Sequence, residues 1–118
     1  MSNTSLNNIS FKATPTEIKS IKKIFNNFEE NPSNTINEQS FDVAEINGKA
    51  YITKHKMKNS SRIEFELIKD GKTKAGTVIY TNEPDFFKKK SSLIQFEKIL
   101  DTLKNIVNKA NEREVWTD

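Results

Sequence analysis

Residues 39–81 read QSFDVAEINGKAYITKHKMKNSSRIEFELIKDGKTKAGTVIYT, and this stretch decides the fold. Apolar residues recur there at every second position, the period of a half-buried strand. Two breaks stand out, Asn47-Gly48 and Asp70-Gly71. Asn-Gly and Asp-Gly favour two-residue hairpin turns, because both central residues must take positive φ and the resulting twist matches the flanking strands. Asn59-Ser60 supplies a third turn between them. The expectation is a four-stranded antiparallel meander.

Counting outward from the turns predicts a register. Phe41 should face Lys54 and Val43 face Ile52; Ile52 should face Leu67 and His55 face Glu64; Leu67 should face Lys74 and Ile63 face Val78. Parity then sorts the strands into a core side, with Phe41, Val43, Ala50, Ile52, Ile63, Phe65, Leu67, Val78 and Tyr80, and a mixed open side. On that open side Ile46, Tyr51, Ile68 and Ile79 form a semi-apolar patch, a candidate protein-binding surface if nothing covers it.

Helical periodicity flanks the strands on both sides. Thr14-Pro15-Thr16-Glu17 combines an N-cap, a proline suited to the first helical position and the glutamate of a capping box. Ile18, Ile21, Ile24, Phe25 and Phe28 follow at steps of three and four, and Asn31-Pro32 closes the helix. After Asn82-Glu83-Pro84 a turn around Asp85-Phe86-Phe87 leads into a longer helix from Ser91 or Ser92, striped by Leu93, Phe96, Leu100, Leu103, Val107 and Ala110. The reading is an α+β domain of order α-β-β-β-β-α spanning residues 13–112. A Ser/Asn-rich tail precedes it at 1–12, and a short tail follows at 113–118, where Val115 and Trp116 could fold back.

Composition narrows the function classes mainly by exclusion. The 118 residues are 34% apolar and 30% charged, which suits one small core with a generous solvated surface. Without cysteine there is no disulfide, thiolate nucleophile or Cys-based zinc site. The start MSNTSLNNIS has neither a basic region nor an apolar run, so a cytoplasmic protein that neither enters nor crosses a membrane is expected. One histidine, scattered carboxylates and three glycines provide no metal spacing and no phosphate-cradling loop, so neither metal nor cofactor is expected. A His55–Glu64 pair is the sole acid-base candidate, and such cross-strand pairs usually serve as surface stabilisers. No catalytic residue is assigned, and the chain is read as non-enzymatic.

Lysine is the remaining signal. The net charge is +3, and only Arg62 and Arg113 supply the planar guanidinium that reads phosphates and bases. Lys54, Lys56, Lys58, Lys72 and Lys74 fall near the ends of the middle strands, and Lys88, Lys89 and Lys90 precede the last helix. A four-stranded meander followed by a helix, over about residues 39–110, resembles in topology the PC4-like and PUR/Whirly single-strand binders. That resemblance implies nucleic-acid binding through Lys54, Lys56, Lys74 and Lys88–Lys90. The preferred expectation is a binding or adaptor domain that works through an unidentified protein partner or as a homodimer.

Overall fold

The computed structural model describes residues 11–117, with side chains as far as residue 110. Helix α1 runs Pro15–Glu30. Its capping box is complete: Thr14 Oγ1 accepts from the Glu17 N–H at 3.2 Å, and Glu17 Oε1 accepts from the Thr14 N–H at 3.0 Å. A short connector leads to four strands, β1 Ile36–Val43, β2 Gly48–Lys56, β3 Ser61–Lys69 and β4 Lys72–Thr81. They form one antiparallel sheet in chain order. A 3₁₀ turn, Phe86–Lys88, precedes helix α2, Lys90–Thr117. The α2 backbone continues to Thr117, beyond the point where its apolar stripe stops. The expected N-terminal tail falls mostly outside the described residues, as do the side chains of Val115 and Trp116.

Both helices lie on one face of the sheet. Val43, Ala50, Ile52, Ile63, Phe65 and Leu67 are fully buried beneath Ile21, Ile24, Phe25 and Phe28 of α1 and Phe96, Leu100, Leu103 and Val107 of α2. Phenylalanine rings join the layers. Phe65 stacks on Phe96 at 5.5 Å, Phe96 meets the edge of Phe25 at 4.9 Å, and Phe87 closes on both Phe25 and Phe28. Such offset and edge contacts add to the burial of the rings themselves.

The hairpins differ from the expected registers in ways that matter unequally. At Asn47-Gly48 the chain forms a 3₁₀ turn, Ala44–Ile46, and only Asn47 takes the left-handed conformation, at φ 51°. Phe41 therefore opposes Ala50 rather than Lys54, and Val43 opposes Gly48 rather than Ile52. The middle hairpin has a longer loop, closed by the Met57 N–H on the Ser60 carbonyl, so Ile52 opposes Phe65 and His55 opposes Arg62. Both displacements are even, and the faces of β1, β2 and β3 survive them. The exception is Ile46, which leaves strand geometry in the 3₁₀ turn and buries itself in the core at 2% exposure.

The third hairpin turns as expected, with Asp70 and Gly71 at φ 54° and 73°. Just beyond it a β-bulge intervenes: Ile68 opposes Thr73, but Leu67 opposes Ala75, leaving Lys74 as the extra residue. That odd slip reverses every later residue of β4. Ala75, Thr77 and Ile79 take the helix side opposite Leu67, Phe65 and Ile63. Val78 and Tyr80, expected in the core, stand on the open face at 47% and 67% exposure. The regular register would have set Lys74 against Leu67 and Gly76 against Phe65, a charge and a void in the core layer. The bulge substitutes Ala75 and Thr77 for them.

Gly48 and Gly71 serve different needs. A Cβ at Gly48 would lie 2.5 Å from the Ile68 backbone oxygen, whereas one at Gly71 would meet nothing within 4 Å but would sit at positive φ. Gly48→Ala is expected to destabilise the fold by roughly 2 kcal/mol through a clash with unyielding backbone. Gly71→Ala should cost about 1 kcal/mol, the usual penalty of a Cβ in the left-handed region. Urea denaturation of the two variants checks the order, and an equal loss would refute the close-approach account of Gly48.

Candidate functional site

The uncovered sheet face is a lattice of cross-strand rows set by the register. One end row runs Ile36, His55, Arg62 and Tyr80; the next runs Glu38, Thr53, Glu64 and Val78. Tyr51 sits between Ser40 and Glu66, and Lys49 between Asp42 and Ile68. Glu38, Glu64 and Glu66 occupy the middle rows of this surface, with Arg62 and Lys49 in the rows on either side. His55 Nε2 lies 2.5 Å from Glu64 Oε1, and the Arg62 guanidinium lies 4.0 Å from the same oxygen. The pair forms diagonally, since Glu64 directly faces Thr53. Both side chains are partly open to solvent, and neither lines the groove between the two helices or the one between β4 and α2. The arrangement is a surface hydrogen bond beside the Arg62–Glu64 ion pair.

The semi-apolar patch does not assemble. Tyr51 and Ile68 remain half-buried on the open face, while Ile46 and Ile79 join the helix-side core. The bulge moved Ile79 and the 3₁₀ turn moved Ile46.

The lysines are dispersed or engaged. Lys56 and Lys74 lie at opposite ends of the sheet, beside Ser61 and at the bulge near the Asp70-Gly71 turn respectively. Lys54 is buried, its ammonium 5.6 Å from the centre of the Phe87 ring, and burial followed by repulsion from Lys56 lowers its pKa. Lys88, Lys89 and Lys90 do converge with Lys22 along a groove of about 430 Å³ between the two helices. However, Lys88 pairs with Glu29, and Lys89 pairs with Glu83 and Asp85. Its hydrogen bond to Glu83 is the main cause of a raised Lys89 pKa. Two of these three ammonium groups thus already face carboxylates.

A buried charge cluster escaped the sequence reading. Lys104 is fully buried among the α2 stripe residues. Its ammonium donates to Glu17 Oε1 at 2.5 Å, Glu45 Oε1 at 2.9 Å and the Lys12 carbonyl at 3.0 Å. All three donors are used, so the group has none left for a substrate. The signal was a lysine one turn after Leu100 on an otherwise apolar stripe.

The side formed by β4 and α2 also went unread. A groove of about 470 Å³ runs between them, lined by Thr77, Ile94, Gln95, Lys98, Ile99 and Leu103 among others. Ile94 and Ile106 on α2 and Val78 and Tyr80 on β4 make up four of the six exposed large hydrophobic residues described. β4 is also an edge strand. In the sequence, the uncharged run Thr77-Val78-Ile79-Tyr80-Thr81 was the available hint.

Among the described residues no group of three or more histidine or carboxylate side chains is placed to hold a metal ion. No described helix is long and apolar enough to cross a membrane. No family model, no curated protein and no solved structure matches the chain.

Replacing Lys104 by Met should leave Glu17 buried without a counter-charge and Glu45 without its partner at the rim, at a cost of roughly 3 kcal/mol in urea unfolding. Burial opposes the charged form of Glu45, but the Lys104 hydrogen bond, the residue's own backbone and the Lys104 charge together hold its pKa below the ordinary carboxylate value. A carboxyl with a depressed folded pKa contributes stability above its unfolded pKa and loses it as pH falls through the folded one. The stability gap between wild type and Glu45→Gln should be full at neutral pH and close below about pH 4. A gap independent of pH would remove Glu45 from the ion cluster.

Proposed function

We propose that the protein is a non-enzymatic cytosolic binding domain whose partner is another polypeptide chain, laid in extended form along β4. The carrying observation is the coincidence of a strand edge that is unpaired among the described residues with an apolar groove on its helix side and Val78 and Tyr80 on its other side. A strand added at such an edge gains main-chain hydrogen bonds, and its alternate side chains fall on the two flanking surfaces. One set would lie over Ile94 and Ile99, the other beside Val78 and Tyr80.

The other edge is less suited. β1 carries Glu38 and Asp42, charges of the kind that blunt sheet edges, whereas β4 has no charge between Ala75 and Asn82. The open face favours single-stranded nucleic acid less, because Tyr51 and Tyr80 are interleaved with Glu38, Glu64 and Glu66 and two of the lysines beside α2 are already paired.

Selection of displayed extended peptides against the purified protein tests the reading. It should enrich saturable binders whose affinity falls roughly tenfold or more with Ile94→Asp, the effect of one poorly accommodated charge worth about 1.4 kcal/mol. Failure to enrich any saturable binder, or binding indifferent to both Ile94→Asp and Val78→Lys, would overturn it.

A further inference from the structure

We propose that the chain occupying the β4 edge is a second copy of this protein, the two β4 strands pairing antiparallel about a two-fold axis near Val78 to make one continuous eight-stranded sheet. This inference rests on the binding reading above and names its partner.

The β4 edge carries opposite charges at its two ends. Lys72 and Lys74 stand at the start of β4, Glu83 and Asp85 just after its end, and the run between Ala75 and Asn82 is uncharged. Lys72 and Lys74 enter no ion pair among the described residues, while Glu83 and Asp85 share the single ammonium of Lys89, which leaves that pair of carboxylates with a surplus negative charge. Antiparallel pairing of two identical strands sets the start of each against the end of the other. Any register centred between Thr77 and Ile79 therefore carries the lysines of one copy to the acidic segment of the other, twice by symmetry. A parallel pairing would set lysine against lysine. The strand is complementary to itself only in the antiparallel sense.

Side-chain facing agrees with this. Residues opposed in an antiparallel pair share a face, so Val78 and Tyr80 of the two copies would cover one another on the open side. With the axis at Val78, Tyr80 of one copy lies opposite Gly76 of the other, where an aromatic ring covers an exposed glycine backbone. On the helix side the two grooves become neighbours, and Ile94 and Ile99 of each α2 gain an apolar counterpart across the seam. β1 lacks this self-complementarity, because Glu38 of one copy would meet Asp42 of the other about Ser40.

The test uses the full chain and exposed positions, so folding is not at stake. Sedimentation or light scattering over a range up to millimolar protein should give twice the monomer mass of 13.6 kDa, with dissociation favoured by added salt. The double variant Val78→Lys, Tyr80→Lys and the double variant Val78→Glu, Tyr80→Glu should each be monomeric, with unchanged circular dichroism. Mixed together, they should recover the dimer mass. A wild type that stays monomeric throughout, or a dimer that both double variants leave intact, would overturn the pairing. If displayed peptides still bind β4 in the first case, self-pairing has failed and the binding reading stands. If they do not bind, both have failed.

Discussion

The molecule is organised by one constraint: a sheet with a single strongly apolar face has to be covered, and both helices are spent on covering it. Ile52, Ile63, Phe65 and Leu67 lose all contact with water only because Phe25 and Phe96 meet above them from different helices. With α1 and α2 side by side, nothing remains in the described chain to cover the reverse face or the two edges of the sheet. The surface available for function is therefore the remainder of the core problem. It comprises an open face with acids in its middle rows, a β1 edge marked by acids, and a β4 edge without charge between Ala75 and Asn82.

Lys104 shows how the helix layer is held in place. A lysine on an apolar stripe would ordinarily be disfavoured, since removing an ammonium group from water is costly unless its hydrogen bonds and charge are matched. Here the match comes from three separate parts of the chain: the carbonyl before α1, the capping-box glutamate of α1, and Glu45 in the 3₁₀ turn after β1. The same Glu17 oxygen caps α1 and receives the ammonium of α2. Helix capping, helix docking and the shape of the first hairpin are thereby coupled through one buried charge. This accounts for a 3₁₀ turn where the Asn-Gly pair alone favoured a tight two-residue loop.

Local chemistry alone accounts for much of the fold. The capping box at Thr14 and Glu17, the two helical stripes, the positive φ at Asp70-Gly71 and the period of two through residues 39–81 all depend on neighbours a few positions away. They were legible for that reason, as was the division of β1, β2 and β3 into two faces, because loop lengths that differ by an even count leave parity untouched. The lysine runs were equally visible in the chain, but whether an ammonium is free depends on which carboxylate the fold brings beside it. Glu29 and Glu83 are not predictable partners for Lys88 and Lys89 from spacing.

What tertiary structure decided was the side of the sheet on which a few residues stand, and with it the candidate site. The bulge at Leu67/Ile68 is selected by the core, which accepts Ala75 and Thr77 where Lys74 and Gly76 would otherwise lie, and no local turn signal records that preference. It sends Val78 and Tyr80 outward and draws Ile79 inward, while the 3₁₀ turn takes Ile46 into the core. The patch read from parity dissolved, and an edge with an adjoining groove took its place. By itself the sequence determined the elements and their order, because helices and turns are short-range. Only packing over long separations could determine which strands form the edges of the described sheet and what lies beside them.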